Sequence, residues 1–209
     1  MIDIAAIILA AGRSSRYRDA GGQEASKLVA SLDGKPLVRH VAEAALGSQA
    51  RPVVVVTGHE RARIARALEG LPVQFTHNNA FASGMASSLK AGLAALPKNV
   101  GGVLILLADM PHVSSELLDR IGAEFACHSG RLAVVPTFHG RRGNPVLLSR
   151  ALFPAIGALD GDEGARNLLA GAPPGAVVEI AVDEEAAIVD IDTPEALASA
   201  RQALRGDRK

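Results

Sequence analysis

The sequence predicts an α/β protein with a doubly wound, mostly parallel sheet, and three observations support this class. Short β-branched or leucine-rich segments alternate with longer amphipathic segments, which is typical of strands and helices that take turns. Hydrophobic residues make up 48% of the chain with only one Tyr and five Phe, as in parallel sheets covered by helices. A length of 209 residues suits one domain spanning residues 1–209.

Six strands and six helices are expected from this alternation. The strands are short aliphatic runs at residues 4–9, 52–57, 73–77, 102–107, 132–136 and 177–182. The helices are predicted over residues 36–46, 60–68, 85–96, 114–125, 163–169 and 194–204. Ser114 and Thr193 supply hydroxyl groups that can cap the helices following them, and Pro194 suits a first helical position.

Composition excludes several classes of function. Lys and Arg number 22 against 22 Asp and Glu, so no overall field attracts nucleic acid or an anionic membrane, and any anion site must be local. A single cysteine, Cys127, rules out an internal disulfide framework and favours the cytoplasm. We see no secretory leader and no apolar run long enough to span a bilayer. Neither nucleic acid nor membrane is therefore an expected partner.

The segment AAGRSSR follows the first strand, at the sheet edge where α/β proteins bind ligands. Gly12 lets backbone N–H groups approach a ligand, and Arg13 and Arg16 can make forked contacts to phosphate oxygens. The spacing matches neither a dinucleotide fingerprint nor a Walker loop. An ordinary turn with two solvated arginines is the alternative interpretation.

Carboxylates follow two other apolar segments. Asp109 ends the strand in LLADMP, and Asp190 and Asp192 alternate in IVDIDTP, which directs both side chains to one face. Mg²⁺ prefers one or two carboxylates plus substrate phosphates, so these residues are candidate metal ligands. Asp109 could instead be a turn residue, and Asp192 could cap the last helix together with Thr193.

Three further segments combine glycine with polar or basic side chains. Ser83, Ser87 and Ser88 surround Gly84 where a helix starts, which suits an anion or a polar base edge, although serine capping is the alternative. Residues 140–148 and 161–166 carry Arg141, Arg142 and Arg166, which suit a second anionic substrate or belong to ordinary surface loops.

Six segments, in order and across nearly the whole chain, resemble the nucleotidyltransferases of molybdenum cofactor maturation. They are LAAGRSSR with the later Lys27, GMASSLKAGL, LLADMP, GRRGNPVLL, GDEGAR and DIDTPEAL. More narrowly, they resemble the molybdenum cofactor cytidylyltransferases of the MobA/MocA-like NTP transferases, because LAAG rather than LAGG is associated with the members that use cytidine. The resemblance implies a single Rossmann-like, three-layer, GT-A-like domain.

The resemblance also implies a reaction and its site. CMP would pass from CTP to the terminal phosphate of molybdopterin, with Mg²⁺ as cofactor and pyrophosphate as product. Arg16, Lys27 and Asp109 would be catalytic, and Asp109 would hold the metal with Asp192, or alternatively Asp190. The acceptor would lie toward Arg142, Gly143, Asn144 and Arg166. The nucleotide would contact Leu9, Ala10, Ala11, Gly12, Arg13, Ser14, Arg16, Lys27, Thr57, Asn78, Gly84, Ser87, Ser88 and Asp109.

Two departures from the family pattern and three alternatives accompany this interpretation. The segment from Tyr17 to Ser26 is longer than in the family, which suggests that Lys27 lies on a flexible lid, and Asn144 stands in place of a histidine. The acceptor could be a sugar or alditol phosphate, or the donor could be GTP. The chain could also be a non-catalytic partner that hands cofactor to a molybdoenzyme client.

Overall fold

The computed structural model describes residues 3–128, 130–182 and 187–206. Its strands are β1 (Ile4–Ala10), β2 (Ser31–Leu32), β3 (Lys35–Pro36), β4 (Val53–Thr57), β5 (Gln74–His77), β6 (Gly102–Leu107), β7 (Ala133–Phe138), β8 (Arg141–Arg142), β9 (Val146–Ser149) and β10 (Val177–Ala181). Its α-helices are α1 (Ser15–Asp19), α2 (Leu37–Gly47), α3 (Arg61–Ala67), α4 (Met85–Ala94), α5 (Ser115–Cys127), α6 (Phe153–Ala158), α7 (Ala165–Ala170) and α8 (Pro194–Gly206). Short 3-10 turns cover Lys27–Val29, Phe81–Ser83 and Arg150–Leu152.

The main sheet has the strand order β10-β7-β9-β6-β1-β4-β5, and β8 pairs with β7. Strand β1 lies at the centre of its parallel part, between β4 and β6. Strand β9 runs antiparallel to both of its neighbours, β6 and β7, and β8 is antiparallel to β7. The predicted α/β class with a mostly parallel sheet is therefore confirmed.

Helices cover both faces of the sheet, as the alternating side chains of β1 require. Ile8 packs into a buried cluster that includes Val38 of α2 and Leu118 of α5. Ile7, on the opposite face, packs into a second cluster with Leu89 of α4. A strand apolar on both faces must be covered on both, so β1 lies buried and its carboxyl end is held in a fixed place.

All six predicted strands and all six predicted helices are present, with ends that differ by no more than two residues. The prediction missed α1, α6, β9 and three very short strands, β2, β3 and β8. Strand β9 was missed because Val146–Ser149 has only three apolar residues, and the glycine and arginine before it suggested a loop. Among the described residues, no helix combines the length and hydropathy needed to cross a bilayer.

Candidate active site

The segments that follow four parallel strands meet at the carboxyl edge of the sheet. Backbone hydrogen bonds join them: His59 N donates to Ala11 O at 3.3 Å, and Asn78 N donates to Thr57 O at 2.8 Å. Ala108 N donates to Leu9 O at 3.3 Å, which ties the segment after β6 to the end of β1. The sheet thus brings the AAGRSSR and ADMP segments side by side.

The loop after β1 is open at Gly12 and anchored at Ser14. Gly12 is exposed, and a Cβ added there would have no heavy atom within 4 Å outside its chain neighbours. Ser14 adopts a left-handed conformation (φ 53°), and its Oγ accepts a hydrogen bond from Lys27 N at 3.2 Å. The loop therefore offers unobstructed backbone at Gly12 while Ser14 fixes it to the turn that carries Lys27.

Three carboxylates converge beside this loop. Asp109, Asp190 and Asp192 each place one oxygen so that all three atoms lie within 4.8 Å of one another. The buried residue Ile191 explains the convergence, because its N–H donates to the backbone carbonyl of Asp109 at 2.9 Å. That bond holds the segment before α8 against the end of β6, so residues far apart in sequence share one site.

The ammonium of Lys27 lies between two of these carboxylates. Its Nζ is 2.6 Å from Asp109 Oδ2 and also donates to Asp192 Oδ1. The Lys27 side chain is only 11% exposed. Burial disfavours the charged ammonium, but the two carboxylates outweigh burial and raise the pKa of Lys27 above its usual value.

The structure places Lys27 in a packed turn rather than on the lid that the longer segment suggested. Lys27 begins the 3-10 turn Lys27–Val29, which the buried Ser26 caps by accepting a hydrogen bond from Leu28 N at 3.3 Å. The longer segment before it is held by Tyr17, which is 2% exposed and donates to Glu24 Oε2 at 2.5 Å. The insertion is thus packed against the core through its own aromatic ring.

The two arginines of AAGRSSR point to different neighbours. Arg16 is mostly exposed and donates from Nη1 to Asp192 Oδ2 at 2.8 Å. The guanidinium of Arg13 instead lies 5.8 Å from the ring centre of Phe81. Arg16 is therefore the arginine of this pair that reaches the acidic cluster.

The two carboxylates of the DID segment differ electrostatically. Burial raises the pKa of Asp190, and the neighbouring carboxylates of Asp192 and Asp109 raise it further. The opposite holds for Asp192, where hydrogen bonds and charge from Lys27 and Arg16 outweigh burial and lower the pKa. Asp192 does not cap α8, because Thr193 does so by accepting from Ala196 N at 3.2 Å.

This donor set fits a divalent cation. Asp109 Oδ1 is buried and accepts no hydrogen bond within the described ranges of the chain, so this oxygen is free to bind a ligand. Carboxylate oxygens are what Mg²⁺ prefers, and three of them lie together here. Asp109, Asp190 and Asp192 are the residues that could hold the ion.

Ser87 and Ser88, two of the predicted nucleotide contacts, lie beside a third, Asn78, which is buried. Its side-chain Nδ2 donates to Ser87 Oγ at 2.7 Å and to Ser88 Oγ at 3.0 Å. Ser87 and Ser88 do not cap α4, since its N-cap is Gly84 and no side chain caps it. The serines therefore connect the start of α4 to the end of β5.

The predicted contacts at Leu9, Ala10, Ala11 and Thr57 lie on the ends of β1 and β4. Ala10 and Ala11 are buried, and Leu9 is half-buried. The Thr57 hydroxyl donates to Thr76 O at 3.2 Å, so it already has a partner in the neighbouring strand. These four positions lie at the carboxyl edge of the sheet, where β1 and β4 end.

The predicted acceptor residues are split between two places. Arg142 pairs with Glu179 of β10 at 2.6 Å. Gly143 and Asn144 lie against the segment that leads to Asp190: Asn144 N donates to Ala187 O at 2.8 Å, and a Cβ on Gly143 would come within 2.0 Å of that oxygen. Glycine is required at 143 because of this close approach.

Arg166 belongs to the second place, beside α4. It is exposed on α7 and forms no hydrogen bond or ion pair with any part of the chain that the structure describes. The loop before it packs on the start of α4, because Ala86 N donates to Gly161 O at 3.0 Å and a Cβ on Gly84 would meet Gly161 at 2.2 Å. The loop that leads to Arg166 is thus anchored at the start of α4, whereas Gly143 lies against Ala187.

Sequence reasoning missed three residues that build the site. Ser26 caps the turn of Lys27, Ile191 docks the DID segment onto Asp109, and Phe81 supports Arg13. Phe81 and Tyr17 carried a signal, because aromatic residues are only 3% of the chain and both lie in sequence near predicted nucleotide-binding residues. Ser26 and Ile191 carried none, since their roles depend on contacts distant in sequence.

Comparison with known proteins agrees with this geometry. Purine catabolism protein PucB of Bacillus subtilis is 32% identical over 206 residues, which cover 95% of this chain and 96% of PucB. The bifunctional protein GlmU of Kineococcus radiotolerans is 32% identical over 148 residues, 67% of this chain. The chain spans only 29% of that GlmU.

Two solved structures share the fold across nearly the entire chain. A nucleotidyl transferase from Methanothermobacter thermautotroptrophicus, Mth528, superposes with a TM-score of 0.82 at 24% identity, covering 98% of this chain and 99% of its own. Rv0371c of Mycobacterium tuberculosis in complex with manganese superposes with a TM-score of 0.75 at 23% identity, covering 96% and 99%.

A family model also matches the chain directly. The model describes the MobA-like NTP transferase domain, and it matches residues 6–178, from β1 into β10. The match includes the AAGRSSR loop, Lys27 and Asp109, and it ends before the DID segment that the structure docks onto Asp109. On this match and the full-length similarity to PucB, the chain belongs to the MobA-like NTP transferase domain family.

Proposed function

We propose that this chain, acting as one domain over residues 1–209, is a cytidylyltransferase that transfers CMP from CTP to the terminal phosphate of molybdopterin. The observation that carries the nucleotidyl transfer is the contact of Lys27 with Asp109 and Asp192 beside the open loop at Gly12. This arrangement combines phosphate-binding cations with carboxylates suited to a divalent ion. The family assignment supports the same chemistry.

The reaction joins two anions, so its barrier is largely electrostatic. A phosphate oxygen of the acceptor attacks the α-phosphorus of CTP, and the bond from that phosphorus to the bridging oxygen of the β-phosphate breaks. Pyrophosphate leaves with that bonding pair. An acceptor phosphate is already ionised at neutral pH, which removes the need for a general base.

Basic side chains of this chain bind and neutralise the triphosphate. Backbone N–H groups around Gly12 approach its oxygens, and Arg16 is exposed enough to turn from Asp192 onto the phosphates. Lys27 supplies a second cation from a buried position, and its raised pKa keeps it charged. Both cations stabilise the charge that gathers on the departing pyrophosphate.

Asp109 would hold a divalent cation, with Asp192 or Asp190 as a second ligand. When bound there, the ion supplies charge neutralisation at phosphate oxygens. The structure of Rv0371c with manganese, a protein of the same fold, supports a divalent ion in this family, and we propose Mg²⁺ as the physiological one.

The acceptor and the donor base are assigned from the motifs. LAAG resembles the members that use cytidine, and GRRGNP with GDEGAR resembles the pterin-binding segments. The contact of Asn144 with Ala187 supports an acceptor beside the acidic segment, because it brings the GRRGNP loop toward Asp190. The product would serve a molybdoenzyme client.

Pyrophosphate release tests this proposal. The purified chain is given CTP, Mg²⁺ and molybdopterin, and we expect pyrophosphate and cytidylylated pterin in equal amounts. GTP in place of CTP, and sugar or alditol phosphates in place of the pterin, identify the alternative substrates. Turnover with another acceptor but not with molybdopterin would contradict the acceptor assignment, and binding of CTP without turnover on any acceptor would contradict catalysis.

A further inference from the structure

Lys27 donates to the same carboxylate groups that a divalent cation would use. Its Nζ contacts Oδ2 of Asp109 and Oδ1 of Asp192, and Asp109 and Asp192 both belong to the group of three carboxylates whose oxygens lie within 4.8 Å. A cation on the free Oδ1 of Asp109 would therefore share its carboxylate with the Lys27 ammonium, which donates to Oδ2 of the same group. Two cations that share one pair of ligands also repel each other at close range.

The surroundings of Lys27 make it the main counter-ion of this group. Its side chain is 11% exposed, whereas Arg16, the other cation at the group, is 81% exposed. Charges in buried surroundings are less screened than charges at the surface, so Lys27 contributes more than Arg16 to neutralising the carboxylates. Removing Lys27 would leave Asp109, whose Oδ1 is buried, with no cation beside it in the described residues.

We propose that Lys27 and the divalent cation exchange as partners of the same two carboxylates, Asp109 and Asp192, so that metal binds weakly until a triphosphate is present to accept the Lys27 ammonium. This inference rests on the proposed function. Metal and nucleotide then strengthen each other's binding. The nucleotide phosphates give the Lys27 ammonium a new partner, and the metal gives the carboxylates one. The lysine therefore offsets part of the negative charge of the acidic group and also delivers its own charge to the phosphates.

Metal binding in the absence of nucleotide tests the exchange. Mn²⁺ is titrated into the full chain and into Lys27→Met, with bound ion measured by electron paramagnetic resonance. We expect Lys27→Met to bind Mn²⁺ about tenfold more tightly than the original chain, within the usual range of coupling between two sites. Lys35→Met is the matched control, since Lys35 is exposed and pairs with Glu43 on the surface.

Equal or weaker Mn²⁺ binding by a folded Lys27→Met would overturn the proposal. If that variant does not fold, the ammonium signal of Lys27 is followed by NMR in the original chain as Mg²⁺ is added. We expect the signal to shift with the same midpoint as metal binding, and a signal that stays fixed while Mg²⁺ binds would also overturn it. Neither measurement uses nucleotide, so failure of the proposed reaction would be seen separately, as absence of pyrophosphate release.

Discussion

Lys27 and Asp109 are 82 residues apart in sequence and meet at 2.6 Å between Nζ and Oδ2. Two separate features create this contact: the capped turn after Ser26 presents the lysine, and the end of β6 presents the carboxylate. Asp192 completes the arrangement from a third segment, through Ile191. A short ion pair that joins three distant segments at the ligand edge of the sheet is the centre of the proposed site.

Asp109→Asn should abolish nucleotidyl transfer. The change removes the charge of the proposed metal ligand and weakens the partner of Lys27, while it keeps nearly the same shape. We expect pyrophosphate release to fall to background in a protein that remains folded by circular dichroism. Asp119→Asn is the matched control, because Asp119 is a surface residue of α5 that accepts from Gln49 N. Near-normal turnover of Asp109→Asn would refute the metal assignment.

Arg16→Ala should weaken nucleotide binding. A hydrogen bond to a charged group contributes about 1.5–3 kcal/mol, which corresponds to a loss of roughly 10- to 150-fold in affinity. Calorimetric titration with CTP and Mg²⁺ measures the change. Arg18→Ala is the control, since Arg18 is an exposed arginine on the same short helix. If the two variants bind CTP equally well, Arg16 does not contact the phosphates.

Gly22→Ala should destabilise the fold. An added Cβ would lie 2.1 Å from Cε1 of Tyr17 and 2.7 Å from the Tyr17 carbonyl oxygen, so the buried ring or the backbone must move. Overpacking of this kind costs about 1–3 kcal/mol. Chemical denaturation measures the loss, with Gly157→Ala as control because that helical glycine has open space around its Cβ position. An unchanged free energy of unfolding in Gly22→Ala would show that Tyr17 does not hold the insertion as described.

Part of the stability that the protein loses on acidification should come from His112. Burial lowers the pKa of His112, and the nearby His40 lowers it further. The unfolded chain then binds a proton more readily than the folded one, so stability from this group is present above pH 6.5 and is lost as the pH falls below it. Denaturation of His112→Gln should show a smaller loss over that range, with His139→Asn as control at an exposed histidine. An identical pH profile for His112→Gln and the original chain would contradict this account.

Periodicity was enough to predict the main architecture. The aliphatic runs of β1, β4 and β6 have no polar alternation, which indicates strands covered on both faces. In the structure nearly all residues of these three strands are buried. Strand β9 escaped detection because Val146–Ser149 has only three apolar residues and follows a segment with glycine and arginine. Its direction and its place between β6 and β7 depend on pairing partners distant in sequence. Local pattern carries no information on such pairing.

The candidate site was predictable in its residue types and less so in its contacts. Asp109 was a candidate because it follows a buried strand, where a carboxylate without a partner is costly to desolvate. The burial of Lys27 could not be foreseen, since the ten residues before it suggested a mobile segment, and Tyr17 packs that segment onto the core. The separation of Arg13 from Arg16 likewise depends on Phe81, which lies in the 3-10 turn after β5.

Calorimetric titration of the purified chain with CTP, GTP, ATP and UTP, each with Mg²⁺, decides whether a triphosphate binds at this site. We expect CTP to bind most tightly and chelation of Mg²⁺ by EDTA to weaken this binding. Tighter binding of GTP would retain nucleotidyl transfer and reject the cytidine assignment. Binding of none of the four nucleotides would contradict the claim that the Gly12 loop, Arg16 and Lys27 form a triphosphate site.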